Sequence, residues 1–139
     1  MLYIVRVPTN NMEHPYLDLQ CVTPPNLRVR RPADRTTAAV IEGMRPEHIP
    51  VLGNILEELK AGGIRELVFD LSAFSPSDRW VYACVLYAGC EVAAAFDTRY
   101  VPMEPLPKSL EMSPSMQVIT QPVSLGCFGS IDEALQSFP

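Results

Sequence analysis

The order of apolar and polar positions predicts extended segments at the start of this chain and alternating helices and strands after them. Residues 2–7, 17–22 and 27–31 are short apolar runs separated by proline and asparagine turns, which is typical of β-strands. Residues 37–41 form a further run of β-branched residues and alanine, and predict a fourth strand.

The pattern changes to a helical period over residues 46–61, where apolar positions fall on one stripe and charged positions on the other. Pro50 would lose a hydrogen bond inside a helix, so the regular helix is predicted to begin near it, after a lead-in turn. Gly62 and Gly63 tolerate the left-handed backbone that commonly ends a helix.

A nearly unbroken apolar run at residues 67–71 predicts a central strand that is covered on both faces. The sequence Ser75-Pro76-Ser77-Asp78 then predicts the start of a helix, which continues to about residue 88. This helix is apolar almost all round, which indicates that it is buried or covers a partner surface. Residues 92–96 predict the next buried strand.

Near the end of the chain, residues 116–120 predict a strand, and Ser130 to Glu133 form a capping box that opens a closing helix. The second half therefore alternates strand and helix. We predict an α/β fold: a mixed β-sheet with helices packed against it, in a single domain over residues 1–139. Residues 1–35 would be an extra β-rich N-terminal segment, and residues 36–139 the α/β core.

Length, hydropathy and charge narrow the class of protein. The 139 residues are 47% hydrophobic, but none of the apolar runs approaches the roughly 20 residues of a membrane-spanning helix. The first residues lack the features of a signal peptide, so a soluble, cytoplasmic protein without membrane insertion is predicted. A net charge of -5 disfavours binding to a nucleic-acid duplex.

The cysteines and histidines predict neither a metal site nor a cofactor. The four cysteines do not form a C-x-x-C pair, and the chain has only two histidines. Reduced, buried thiols are therefore expected. His48 is predicted to belong to the lead-in turn of its helix rather than to act as a base.

A row of arginines, Arg28, Arg30, Arg31 and Arg35, allows two interpretations. It is predicted either to guard a solvated edge strand by its charge, or to bind an anionic ligand or an acidic partner, as in a ligand sensor.

The most suggestive polar cluster is Asp97, Thr98 and Arg99, which would lie just past the strand at 92–96. If that strand is parallel to the one at 67–71, Asp70 and Ser72 project toward the same carboxyl edge, where open α/β sheets bind ligands. Arg99 would then hold a phosphate. The alternative is a surface ion pair in a turn.

A second cluster, Ser75, Ser77, Asp78 and Arg79, lies at the predicted helix start. The free amides there can bind an anion, and a phosphorylated hydroxyl can act as a switch. Simple capping of the helix explains the same residues without a function. The chain has neither a glycine-rich phosphate loop nor a G-x-S-x-G nucleophile motif, which disfavours an enzyme.

The order of these motifs resembles that of STAS domains, the family of anti-sigma-factor antagonists and sulphate-transporter regulatory domains. The similar parts are the helix, turn and Asp-Leu-Ser strand at 57–72, the Leu-Pro-Lys-Ser-Leu segment at 106–110 and the closing helix at 128–135. The resemblance covers about residues 37–139. It implies a regulatory module that binds protein partners.

The resemblance also shows a departure at the family's phosphorylation position. In the antagonist branch an Asp is followed by a phosphorylatable Ser or Thr; the Asp matches Asp78, and the hydroxyl position holds Arg79. Because arginine cannot accept phosphate, the resemblance implies a module without the usual switch. Arg79 beside Trp80 is typical of an interface. The alternative prediction for Trp80 is a core residue on the apolar side of its helix.

A weaker resemblance is to CRISPR-associated ring nucleases, which bind or cleave cyclic oligoadenylates and carry Asp-Pro-Arg after an alanine-rich strand. Here Thr98 replaces the proline between Asp97 and Arg99, and Tyr87 lies near the place of a companion histidine. This resemblance implies a ligand site at Asp97 and Arg99, shared by two copies of the chain.

The leading hypothesis is therefore a non-enzymatic STAS-like module that binds a protein partner through Ser75, Ser77, Asp78, Arg79 and Trp80. The hydrophobic excess leaves a homodimer open. The alternative is a nucleotide-binding protein acting at Asp97 and Arg99.

Overall fold

A computed structural model describes residues 3–4, 16–20, 26–89, 95–106 and 113–139. The strands are β1 (Tyr3–Ile4), β2 (Tyr16–Gln20), β3 (Arg28–Pro32), β4 (Ala38–Glu42), β5 (Glu66–Asp70) and β6 (Asp97–Val101). The helices are α1 (Ile49–Ala61), α2 (Pro76–Gly89), α3 (Pro114–Leu125) and α4 (Ile131–Gln136), and a 3-10 turn at Pro46–His48 leads into α1.

The described strands form one mixed sheet in the order β1-β2-β3-β4-β5-β6. Strands β1 to β4 pair antiparallel, whereas β4, β5 and β6 pair parallel. A helix connects the two strands of each parallel pair: α1 lies between β4 and β5, and α2 lies between β5 and β6. Because both crossovers step in the same direction, the usual right-handed connection places both helices on one face of the sheet. The predicted α/β class with a mixed sheet is confirmed.

β5 is the central parallel strand, as its apolar run predicts. Leu67 and Phe69 face the α1 and α2 side, whereas Val68 faces the opposite side, and all three are 0% exposed. On that opposite side Val68 packs in a second core cluster with Phe138, at the end of α4. Both faces are therefore apolar because both are covered.

The starts and ends of the first two helices follow from their sequences. α1 begins one residue before Pro50, where the missing amide hydrogen is not needed, and ends at Ala61 with Gly62 as its C-cap. Gly63 has a φ of 90°, a backbone conformation that glycine adopts without strain. α2 begins at Pro76, as predicted.

The strand predicted at 92–96 lies mostly outside the described residues, which leave out 92–94. In the described part, Ala95 and Phe96 are not in a strand, and β6 begins at Asp97. β6 alternates between the two faces of the sheet, with Tyr100 1% exposed on the α2 side and Val101 in the second cluster. The charged residues in this alternation hide the strand from a search for unbroken apolar runs.

The strand predicted at 116–120 is wrong, because these residues belong to helix α3. Ser113 and Pro114 begin the helix, with proline in the first turn. Thr120 donates its hydroxyl to the Met116 carbonyl at 2.9 Å, and α3 packs against α2. Tertiary packing here overrides the strand preference of Val118 and its neighbours.

The C-terminal part of the chain closes both the open face and the open edge of the sheet. Ser130 caps α4 by accepting the Glu133 amide at 3.2 Å, as predicted, and α4 covers the second face. Residues 126–128 run beside β6, since the Tyr100 amide donates to Gly126 at 2.8 Å and the Phe128 amide donates to Tyr100 at 3.1 Å. The backbone groups of the β6 edge are thus paired rather than exposed.

Candidate functional site: the groove at the carboxyl ends of β5 and β6

A groove of about 450 Å³ lies at the carboxyl ends of the parallel strands β5 and β6. It is lined by the first turns of α2, by the segment after β6 and by the turn before α4, namely by Pro76, Arg79, Trp80, Pro102, Met103, Glu104 and Gly129. α2 follows β5 and Pro102 follows β6, so the parallel pairing brings these segments to one edge. This edge is where open α/β sheets bind ligands.

Arg79 is held in the groove by the strand behind it. Its Nε donates to the Leu71 carbonyl, just after β5, at 3.2 Å. Within the described part of the chain, its two Nη groups have no acceptor. The planar guanidinium is therefore fixed at one edge by Leu71, and its other edge carries two parallel N–H groups that match the oxygens of a carboxylate.

Trp80 has the core contacts that one of its two predicted roles requires, and its role at an interface stays a prediction. It is half-buried and packs against the main hydrophobic core, and it also lines the groove next to Arg79. An aromatic ring that the core already holds loses little freedom when it contacts a partner. Glu104 is the acidic residue of the lining and is exposed.

The remaining predicted residues hold the start of α2 rather than line the groove. The Ser75 hydroxyl donates to Asp78 Oδ2 at 2.8 Å and lies 3.2 Å from the Ser77 hydroxyl. The amides of Asp78 and Arg79 donate to the Ser75 carbonyl at 2.9 and 3.2 Å. These exposed side chains border the groove and fix the helix that carries Arg79 and Trp80.

The sequence did not indicate the other wall of the groove. In the sequence, Pro102 indicates only a break between two elements, and Met103 and Glu104 belong to no recognisable motif. The parallel pairing of β5 with β6, and the bond from the Met103 amide to the Phe128 carbonyl at 2.9 Å, set this segment beside α2 and next to Gly129. Both contacts join parts of the chain that are distant in sequence.

Asp97 lies at the other end of the sheet and Arg99 in the middle of β6, which corrects the predicted cluster with Asp70 and Ser72. Asp97 pairs with Glu66 at the amino end of β5, whereas Asp70 pairs with Val101. The rise of a strand separates Asp97 from the carboxyl edge by about 13 Å. Ser72 instead donates its amide to Asp70 Oδ1 at 2.9 Å.

The Arg99 side chain contacts the C-terminal helix. Its Nε donates to the Ser137 hydroxyl at 2.8 Å, and its Nη1 donates to the Asp97 carboxylate. Its guanidinium carbon lies 4.4 Å from the centre of the Phe138 ring, and that of Arg35 lies 5.7 Å from the same ring. These contacts anchor α4 to the sheet.

A second groove, of about 360 Å³, nevertheless brings together the residues of the nuclease resemblance. Tyr87, Asp97, Thr98 and Arg99 all line it, with further lining from Phe96, Tyr100, Pro122, Leu125 and Gly126. It opens between the end of α2 and α3, beside the amino end of β6. A cyclic oligoadenylate site at Asp97 and Arg99 stays a prediction.

The arginine row is built into the sheet rather than along its edge. β3 pairs with β2 on one side and β4 on the other, so the predicted edge strand is wrong. Arg30 Nη1 lies 3.5 Å from Glu42 Oε2, and Arg35 Nη1 lies 3.1 Å from Glu66 Oε2. Arg28 is exposed and Arg31 is half-buried.

The contacts of His48 and of the two described cysteines, Cys84 and Cys127, indicate structural roles. His48 is 4% exposed, and its Nδ1 accepts the Arg45 amide at 3.0 Å, which confirms the lead-in turn. Burial raises the pKa of the Cys84 thiol. Burial, and then the charge of a nearby Cys84 thiolate, raise the pKa of Cys127 to about 12, so both thiols are protonated and unreactive near neutral pH.

Over residues 26–89, 95–106 and 113–139 and the short strands before them, His, Cys, Asp and Glu do not form a group of three or more that would hold a metal ion. Among the described helices, none combines the length and apolar composition needed to cross a bilayer.

Comparison with known proteins leaves the family open. No protein-family model, no curated protein and no solved structure matches this chain. The resemblance to STAS domains stays a prediction from the order of sequence motifs.

Proposed function

We propose that this chain is a non-enzymatic, STAS-like regulatory module that binds a protein partner through the loop and helix at residues 75–87. The observation that carries the proposal is the fixed Arg79 beside the half-buried Trp80 in a groove at the carboxyl edge of the sheet. The reduced thiols inferred for Cys84 and Cys127 support a cytoplasmic location.

The groove suits a side chain of a partner protein. Arginine and tryptophan are the residue types that most often dominate binding energy at protein interfaces. Arg79 offers two N–H groups to a carboxylate, and Trp80, Pro102 and Met103 offer apolar surface next to it. An acidic residue followed or preceded by an apolar one is the recognition element that we propose.

Affinity capture with four immobilised proteins tests this proposal. Wild-type chain, Arg79→Glu, Trp80→Ala and the control Arg45→Glu are each incubated with extract of the source cells. Arg45 is an exposed arginine outside the groove, so its substitution changes net charge equally. Partners should be retained by the wild type and the control, and lost from both groove variants.

A captured protein counts only when it binds after purification. Its dissociation constant should rise at least about tenfold with Arg79→Glu and Trp80→Ala, since truncating an interface residue of this kind costs about 2 kcal/mol. Arg79→Lys should show an intermediate loss, because lysine lacks the Nε that donates to Leu71. Equal binding by all variants, with circular dichroism showing them folded, contradicts the proposal.

A second candidate is favoured by the groove that joins Tyr87 to Asp97 and Arg99. We propose for it the binding of a cyclic oligoadenylate, with cleavage as a separate outcome. Incubation with cyclic oligoadenylates, followed by chromatography for linear products and calorimetry for binding, tests it. If neither is detected, this candidate is removed and the protein-binding proposal stands unchanged.

A further inference from the structure

Helices α2 and α3 form neighbouring surfaces without charge. Residues 80–89 of α2 and the whole of α3 contain no Asp, Glu, Lys or Arg. The two helices pack against each other. Both belong to the helical layer on the Leu67 and Phe69 side of the sheet.

The outer side of both helices is apolar as well as uncharged. Val81 and Val85 are 58% and 41% exposed on α2, and Val118 and Leu125 are 70% and 82% exposed on α3. Spacings of four and seven residues keep each pair on one side of its helix. We call these four residues the uncharged face.

Helix α1, in the same layer, has the usual outer side of a helix in water. Its Glu57 and Lys60 are exposed, and Glu58 is half-buried. A helix that faces solvent normally carries such residues opposite its apolar stripe. The lack of charge is therefore a property of α2 and α3 and not of the layer, which indicates that their outer side is covered.

We infer that the uncharged face binds the same face of a second copy, related by a twofold axis. A chain with a net charge of -5 repels its own copies, and an uncharged patch is where two copies approach each other at the lowest cost. A twofold axis needs a surface that is complementary to itself, and exposed valine and leucine meet this condition without any charge to pair.

The size of the face fits a weak dimer. Residues 80–89 of α2 are about 15 Å long, α3 is about 18 Å long, and two adjacent helices are about 20 Å wide. The footprint is about 330 Å² on each copy, so about 660 Å² is buried in total, which is below a standard interface and in the range of weak, transient association. We therefore expect dissociation constants in the micromolar range.

Sedimentation equilibrium from about 1 to 300 µM tests the inference. The wild type should shift from the 15.4 kDa monomer toward twice that mass as concentration rises. Val85→Lys and Leu125→Lys should weaken the association at least tenfold, since each puts a charged side chain from both copies into an apolar interface. The control Val51→Lys puts the same charge on α1, where Val51 is 40% exposed, and should associate as the wild type does.

Mixing two variants separates pairing through this face from other association. Leu125→Lys and Leu125→Glu, each monomeric alone, should form a mixed dimer when combined at equal concentration. Circular dichroism melts show whether each variant is folded. The inference is overturned by a wild type that stays monomeric at 300 µM, by lysine variants that are folded and still dimeric, or by a mixture that does not associate.

Discussion

Removal of the Phe138 side chain tests how the C-terminal helix is held on the sheet. Phe138 is 4% exposed and packs with Val68 and Val101 in the second core cluster. Arg99 lies over its ring at 4.4 Å and Arg35 at 5.7 Å. Phe138→Ala therefore removes both a core ring and the surface on which two guanidinium groups stack.

The expected loss is large relative to the stability of a domain of this size. Phe→Ala in a core costs about 3–5 kcal/mol, and we expect the lower end, about 3 kcal/mol, because this cluster is small and near the surface. Each cation–π contact adds about 0.5–1 kcal/mol. The combined loss, about 4–5 kcal/mol, is a large part of the roughly 5–15 kcal/mol by which such domains are stable, so the variant should unfold at clearly lower urea concentration.

Urea unfolding of a small series separates the packing term from the cation–π term. Phe138→Leu keeps most of the apolar volume, so its free energy of unfolding should fall by about 1 kcal/mol. Arg99→Met removes the hydrogen bond to Ser137, so its free energy of unfolding should fall by about 2 kcal/mol. The double variant measures the coupling, which we expect near 1 kcal/mol. Val51→Ala, at an exposed position of α1, is the control within about 0.5 kcal/mol.

Two results would refute this account of α4. One is a loss below about 1 kcal/mol for Phe138→Ala, and the other is additive effects of Arg99→Met and Phe138→Leu. If Arg99→Met is as stable as the wild type, the anchoring role of Arg99 is wrong. If that variant also loses affinity for a cyclic oligoadenylate, the result supports the second candidate function.

The remaining predictions concern two glycines and a thiol. Gly43→Ala should cost at least about 2 kcal/mol in urea unfolding, because Gly43 has a φ of 74° and a Cβ there would lie 2.2 Å from the Asn26 carbonyl oxygen. Gly53→Ala in α1, where the new Cβ meets nothing within 4 Å, should instead gain about 0.5–1 kcal/mol; two effects of the same sign would contradict the reasoning. The raised pKa of Cys127, about 12 against 9.0, should leave stability unaffected below pH 9 and lower it as pH rises toward 12, and Cys127→Ala should flatten this dependence in urea unfolding at each pH. Cys127 should also react with iodoacetamide at pH 8 only after unfolding, so fast labelling of the folded chain would show that its burial is incomplete.

Local patterns determined much of the α/β core. The unbroken apolar run of β5, the proline and serine that start α2, and the serine cap of α4 each depend on a few adjacent residues. Such signals are readable because burial of both faces, helix starts and caps are local requirements. They located β5, α1, α2 and α4 within about a residue.

The same local preferences failed where another part of the chain decided the outcome. Taken by themselves, the β-branched residues at 118–120 favour a strand. They are helical because α3 packs against α2 and begins with a proline in its first turn. Asp97 and Arg99 interrupt the apolar pattern of β6, and their places become understandable only with Phe138 across the sheet. In both cases the stabilising partner lies far away in sequence.

The sequence by itself determined that Arg79 and Trp80 open a helix after a buried strand, since a helix start and an apolar run are properties of short segments. Only the tertiary structure decided that they share a groove with Met103 and Glu104, because that groove depends on the parallel pairing of β5 with β6. The physical reason is the range of the interactions: capping and periodicity act within a few residues, whereas strand pairing and helix packing join residues that only folding brings into contact.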